Sequence, residues 1–449
     1  MFLLAIPITL LLCAGFGVSS LLSPRRAWNI PDLLGSSVLF GFASVTGLWW
    51  LLSFVCSQSA LLYSATACCV VLGAIGWYRF GSFKTEGNWK WLLVYVPFWA
   101  FVIWQTLVVP IGGDGLAIWD FKARLAFAAG GRIPAAYFSA PETAWTHPTY
   151  PLAVPLFENW VYAWLGRTDQ SLIKLPFLMF LAAVQSQLWS IVRRETGSTS
   201  RAGVAALLVF FVPWIILKPG GAASNWADFP LASAYLLGLG CLLELRATPA
   251  SPIGRFTFAA AILPWIKQEG IVLALTLLLV LFFQKSVSLR RKSLCAALVL
   301  LTSVPWKLFL ALHHAVANSD YSPVRLDTFF ENATRIPIVA MRIALELVKI
   351  PFWGLLWPTA LVSLWMLSRN GRTANSVSQE HSPTGRDLFI CMALPIILLC
   401  SAYVFSTWSN YLNHVNTSIT RVLIPPAMPA LIAVGLWLPE GLFGCKSPK

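Results

Sequence analysis

The chain has 449 residues, of which 57% are hydrophobic, 14% aromatic and only 11% charged, with a mean hydropathy of +0.71. That composition excludes an ordinary soluble globular protein and specifies a polytopic membrane protein. The net charge of +14 lies in short basic clusters between apolar runs, the pattern of cytoplasmic anchors, so no nucleic-acid partner is expected.

Phe2 to Leu22 is long enough to span a bilayer, lacks a basic leader and is followed by Arg25 and Arg26, so it reads as a retained helix. Further spans are expected at about 32–55, 59–78 and 91–110, with Arg79, Lys84 and Lys90 in the loop before the last. The block 111–151 then falls outside the cytoplasm. Leu152 to Leu165 is apolar but short, and it carries Pro155, Glu158 and Asn159. Counting it as a crossing puts Arg193, Arg194 and Arg201 outside. Laying it on the outer surface as an interfacial helix returns those residues to the inside, together with Arg246/Arg255, Arg290/Arg291/Lys292, Arg369/Arg372/Arg386 and Lys446/Lys449. The remaining spans are then roughly 171–192, 202–218, 229–245, 256–266 with 270–284, 293–313, 351–368, 388–406 and 421–439. An all-α protein with about thirteen transmembrane helices and external juxtamembrane helices results. Residues 319–349 read as an external loop followed by an amphipathic surface helix, and 369–387 as a disordered cytoplasmic connection.

The nine cysteines lie mostly in apolar runs and form no CxxC pair. The five histidines form no HExxH, so no metal site is expected from either residue type. Polar chemistry concentrates elsewhere. Asp114 stands in Gly112-Gly113-Asp114-Gly115, where the backbone is free to approach a ligand and no helical ion-pair partner is in register. Next to it, Trp119 and Phe121 suit an interfacial belt, Lys122 and Arg124 suit snorkelling, and Asp120 can pair with Arg124 at i,i+4. His147-Pro148-Thr149-Tyr150-Pro151 closes this block. Asp228 opens an apolar helix after the turn 219–227 and can serve as its cap. Lys267 and Glu269 sit in a polar break between two short apolar helices, a pattern that lines cavities or makes a surface ion pair. Arg421 lies at the outer end of the last span, against the positive-inside bias. The triplets at Asn332 and Asn416 match glycosylation acceptors.

This order of elements resembles the integral-membrane glycosyltransferases of the C-type fold, in particular the protein O-mannosyltransferase and aminoarabinose transferase branch. The resemblance rests on Asp114 in the first large external loop and on His147, Pro148 and Pro151 at the entry to a juxtamembrane helix. It continues with Asp228, Pro230 and Leu231 at a helix start, Lys267 and Gly270 at a break, and Arg421 before Pro425 and Pro426. It implies transmembrane helices over 1–90, a glycosyltransferase-like domain over 91–440 whose external catalytic loop is 111–170, and a cytoplasmic tail at 441–449. The chain departs from the family in its roughly four helices before the Asp114 loop, where relatives usually have one, and in Ala223, where many have an arginine.

The resemblance further implies transfer of a sugar from a polyprenyl-phosphate donor to an acceptor hydroxyl on a glycan, lipid or protein. Asp114 and Asp228 are its candidate catalytic carboxylates and Lys122, Lys267 and Arg421 its donor-phosphate ligands. Trp119, Asp120, His147, Tyr150 and Glu269 complete the candidate substrate set. No resident cofactor is implied, although a divalent ion is compatible with the chemistry. A bacterial inner membrane with the site facing outward is the expected location, an endoplasmic-reticulum membrane the alternative. A transporter or flippase for a lipid-linked sugar is the competing function class; it should place ionisable residues near the midplane, whereas here nearly all lie at helix ends. An O-antigen-ligase-like enzyme should carry a larger late external loop than 407–420, and a non-catalytic scaffold should not bind a lipid-linked sugar.

Overall fold

The computed structural model describes residues 2–84, 90–248, 251–317, 320–373 and 383–439. The tail at 441–449 and the centre of the 369–387 connection lie outside them. The chain is 77% helical. Among the described residues, eight helices are long and apolar enough to cross a membrane: Leu3–Leu22, Ile30–Leu52, Ser59–Arg79, Lys90–Val108, Lys174–Thr196, Asp228–Ala247, Leu289–Leu312 and Thr384–Phe405. The pair Tyr411–Val422 and Ile424–Trp437, bent by 42°, makes a ninth if taken as one span. The protein is thus an all-α multi-pass membrane protein by length and composition of its helices.

Differences from expectation follow local chemistry. The segment expected to span 202–218 stops at Leu208, passes through the turn Val209–Phe211 and restarts as Pro213–Leu217, because Pro213 has no N–H to continue the ladder. The 369–387 connection is shorter than expected, since helices run on to Thr373 and resume at Pro383. A two-stranded parallel sheet, Ala27–Asn29 with Ser82–Lys84, ties the loop after the first helix to the loop after the third.

The ends of the helices sort into two polar regions. Lys174 Nζ, at the start of its helix, donates to the carbonyls of Thr106 and Val109 where Lys90–Val108 finishes. Residues 111–173 therefore leave and re-enter the bundle at the same end, and Ala153–Leu165 adds no crossing. That helix is not the surface-lying element expected. Every residue from Ala153 to Tyr162 is buried. Trp160 packs edge-on against Trp49 at 5.6 Å and donates to the Pro7 carbonyl at 3.4 Å. Its apolar residues surround the helix axis, which is the signature of burial on all sides.

At the opposite end, Arg26 and Arg255 hold Asp32 at 2.8 Å each, Arg255 reaches Glu244 at 2.7 Å, and Arg26 also pairs with Glu244. Both guanidinium groups lie over the Trp28 ring, 4.6 and 4.7 Å from its centroid. Arg255, expected as a cytoplasmic anchor, is only 3% exposed. Asp228 and Glu244 share one helix, so about 24 Å separates the two polar regions along it.

Candidate active site

The Asp114 loop is shaped by what it lies against. Asn225 Nδ2 donates to the Gly115 carbonyl at 3.1 Å, and Trp226 Nε1 donates to the Gly112 carbonyl at 3.2 Å. A Cβ on Gly113, whose φ is +53°, would fall 2.7 Å from the Trp226 ring; one on Gly115 would fall 2.4 Å from Asn225 Oδ1. The glycines flanking Asp114 thus let the loop press onto Asn225 and Trp226, which presents the carboxylate at the end of the bundle.

Asp114, expected to have no helical ion-pair partner, has one from far along the chain. Its Oδ2 pairs with Arg421 Nη1, the two side chains being 36% and 17% exposed. Arg421, expected at the outer end of the last span, belongs instead to a separate preceding helix. It sits in the final turn of Tyr411–Val422, whose start is capped by the Asn410 side chain. Leu412, Val415, Ile419 and Val422 recur at helical spacing, so this polar-looking stretch is amphipathic. Pro425 and Pro426 follow at the bend. The guanidinium lies 4.7 Å over the Trp226 ring, and its Nε is buried with no hydrogen-bond partner.

A second ionic group lies alongside. Asp228 is the first residue of its helix, so it is not the cap, and its carboxylate accepts from Lys267 Nζ at 2.8 Å. Lys267 also holds Glu269 at 2.8 Å and is 8% exposed, so the surface-pair alternative gives way to a buried Asp228–Lys267 pair with the half-buried Glu269 at its edge. The break between Leu263–Ile266 and Gly270–Phe283 turns the lysine inward. Glu269 Oε2 is buried without a partner.

The His147–Tyr150 segment is held to this break: the Thr149 carbonyl accepts from Gln268 Nε2 at 3.0 Å and from Trp306 Nε1 at 3.2 Å. His147 has a left-handed φ of 54°, and its ring stacks on Tyr150 at 4.5 Å. Burial lowers the His147 imidazole from its ordinary value, against the pull of Asp320. The Tyr150 phenol is raised by burial and then by Glu269. Trp119 stacks beneath Tyr150 at 5.7 Å.

Two members of the expected set serve the scaffold. Lys122, expected as a phosphate ligand, is fully buried and donates to the His147 carbonyl at 2.6 Å, with Trp119 and Tyr150 each 5.6 Å away; burial lowers its ammonium well below the usual range. Asp120 pairs with Arg124 at 2.9 Å as its spacing predicts, but it also accepts from Tyr162 at 2.5 Å and Gln170 at 2.7 Å and is fully buried. Neither carboxylate oxygen is left for a substrate.

No protein-family model, curated protein or solved structure matches this chain. Asp114, Asp228, Lys267, Glu269 and Arg421 meet from four distant segments at one end of the bundle. Three carboxylates and two cations pair there, while Nε of Arg421 and Oε2 of Glu269 are buried without a hydrogen-bond partner. Among the described residues, no group of three or more His, Cys, Asp or Glu is arranged to hold a metal ion.

Several neighbours escaped sequence reasoning. Asn225 and Trp226 shape the Asp114 loop, and Asn225 also donates to Glu158 Oε1 at 2.7 Å. Glu158 is fully buried and its carboxyl is raised well above the usual range, first by burial and then by Asp120. A carboxylate inside an apolar helix was its only sequence signal. Tyr321 and His414 join through a 3.2 Å hydrogen bond across 93 residues, which no local pattern reveals.

Proposed function

We propose that the protein is a membrane glycosyltransferase that moves a sugar from a polyprenyl-phosphate donor to an acceptor hydroxyl. The observation that carries this reading is the Asp114–Arg421 pair beside the Asp228–Lys267–Glu269 triad. It sets a proton acceptor next to cations at the rim of a bundle of apolar helices. A lipid-linked donor suits that position, since its tail can stay among lipids while its phosphate reaches Arg421.

In the reaction, the acceptor oxygen attacks the anomeric carbon, the bond from that carbon to the phosphate oxygen breaks, and polyprenyl phosphate leaves. The acceptor proton passes to the Asp114 carboxylate. The leaving phosphate gains negative charge, which the Arg421 guanidinium stabilises through its planar donors. Lys267 keeps Asp228 and Glu269 in place, and Glu269 accepts from a sugar hydroxyl. Protonation of Asp114 weakens its hold on Arg421 at the moment the phosphate needs that cation. We assign the chain to the C-type fold with about thirteen helices, in a bacterial inner membrane with this end facing outward.

Asp114→Asn tests the reading. It keeps the shape but removes the proton acceptor, so transfer of radiolabelled sugar should fall by about 10²-fold or more while donor binding is retained. Near-normal transfer by the purified variant removes Asp114 from the mechanism.

A further inference from the structure

An aromatic shelf borders the ionic groups. The segment Asp320–Ser322 lies antiparallel to Phe405–Thr407: Tyr321 bridges Ser406, Ser322 N donates to the Phe405 carbonyl at 2.8 Å, and Thr407 N donates to the Asp320 carbonyl at 3.0 Å. On this base stands His414, with Nδ1 2.9 Å from Ser406 Oγ and Nε2 3.2 Å from the Tyr321 hydroxyl. Trp408 stacks on His414, ring centroids 4.5 Å apart and planes 16° from parallel. Its indole N–H donates to Asp320 Oδ1 at 2.9 Å.

One face of Trp408 is thus covered by histidine, yet the residue is 36% exposed, and Tyr321 beside it is 45% exposed. The exposed part of the indole and the carboxylate at the ring edge are two halves of one chemistry. A pyranose lays its C–H face on an electron-rich ring, while hydroxyls at its margin donate to a carboxylate. An indole that merely anchors in the membrane interface turns its N–H toward headgroups or water; here Asp320 takes it. The shelf is close to the ionic groups: the Tyr321 phenol lies in the field of Glu269, Lys267 and Arg421, and His147 in that of Asp320.

We propose that Trp408, Asp320 and Tyr321 form a carbohydrate subsite, so that the acceptor of the transfer is a glycan. The assignment of acceptor rests on the transferase reading; the subsite itself does not. The test is saturation-transfer NMR on purified full-length protein in nanodiscs, with mannotriose, maltotriose and chitotriose as probes and no lipid donor added. Because no transfer is needed, a failed transferase reading and a failed subsite are told apart.

At least one trisaccharide should bind wild type. Trp408→Ala should bind it roughly tenfold more weakly, Trp408→Phe should stay near wild type because a ring remains, and Asp320→Asn should weaken binding several-fold. Should Trp408→Ala not fold, the Phe and Asn variants carry the comparison. Absence of binding by wild type to all three sugars overturns the proposal, as does equal binding by Trp408→Ala or, where that variant does not fold, by Asp320→Asn.

Discussion

Lys267→Met should destabilise the protein by about 3–4 kcal/mol at pH 7, and the figure follows from the triad. Asp228 and Lys267 are 3% and 8% exposed and 2.8 Å apart, so removing the lysine leaves a buried carboxylate without its main counter-ion. Breaking a buried pair in this way costs about 3–5 kcal/mol. Arg421 lies near enough to act on Asp228 and offsets part of the loss. Proton uptake sets a ceiling: an ordinary aspartate near 3.9 needs about 4 kcal/mol to be protonated at pH 7, but only about 1.5 kcal/mol at pH 5. The cost in the variant should therefore shrink on acidification. Asp228→Asn added to Lys267→Met should recover most of the loss, because an amide needs no counter-ion. Unfolding by added denaturing detergent in mixed micelles, at both pH values, measures all three quantities. A single variant as stable as wild type, or a double variant no better than the single, refutes the buried-pair argument.

Arg421→Lys keeps the charge but loses the planar fork, so donor affinity should fall by about tenfold or more while the protein still folds; equilibrium binding of lipid-linked sugar measures it. Gly115→Ala drives a Cβ toward Asn225 Oδ1, 2.4 Å away, and should cost about 1–3 kcal/mol in the same unfolding assay. His147 is held below its ordinary value of 6.5 by burial, so the unfolded chain binds the extra proton first. Its contribution to stability is complete above that value and declines as pH falls through it toward the folded value; His147→Gln should flatten the profile between pH 7 and 5.

The long apolar runs were legible because each buries or faces lipid along its whole length, and the charged ends followed from the sequence too. Arg421 and Asp114 were visible singly, but not their pairing across 307 residues. The helix Tyr411–Val422 was missed because its polar face dominates its composition, although its apolar spacing carried the signal. Ala153–Leu165 showed the reverse error: its apolar character was plain, but only packing reveals that it lies inside the protein. The shelf under Trp408 joins segments about 90 residues apart through backbone pairing. Nothing local encodes such a bridge.

The ionic knot at the opposite end constrains the order in which the molecule can be completed. Asp32 enters the membrane region with only Arg26, six residues away, to balance it. Glu244 and Arg255 emerge from the ribosome more than 200 residues later. Gln187 Nε2 comes earlier and reaches the Asp32 carboxylate at 3.4 Å, but the second guanidinium on that carboxylate is Arg255. The ion pairs of Asp32 are therefore complete only once Arg255, from the later half of the chain, joins Arg26 beside Trp28.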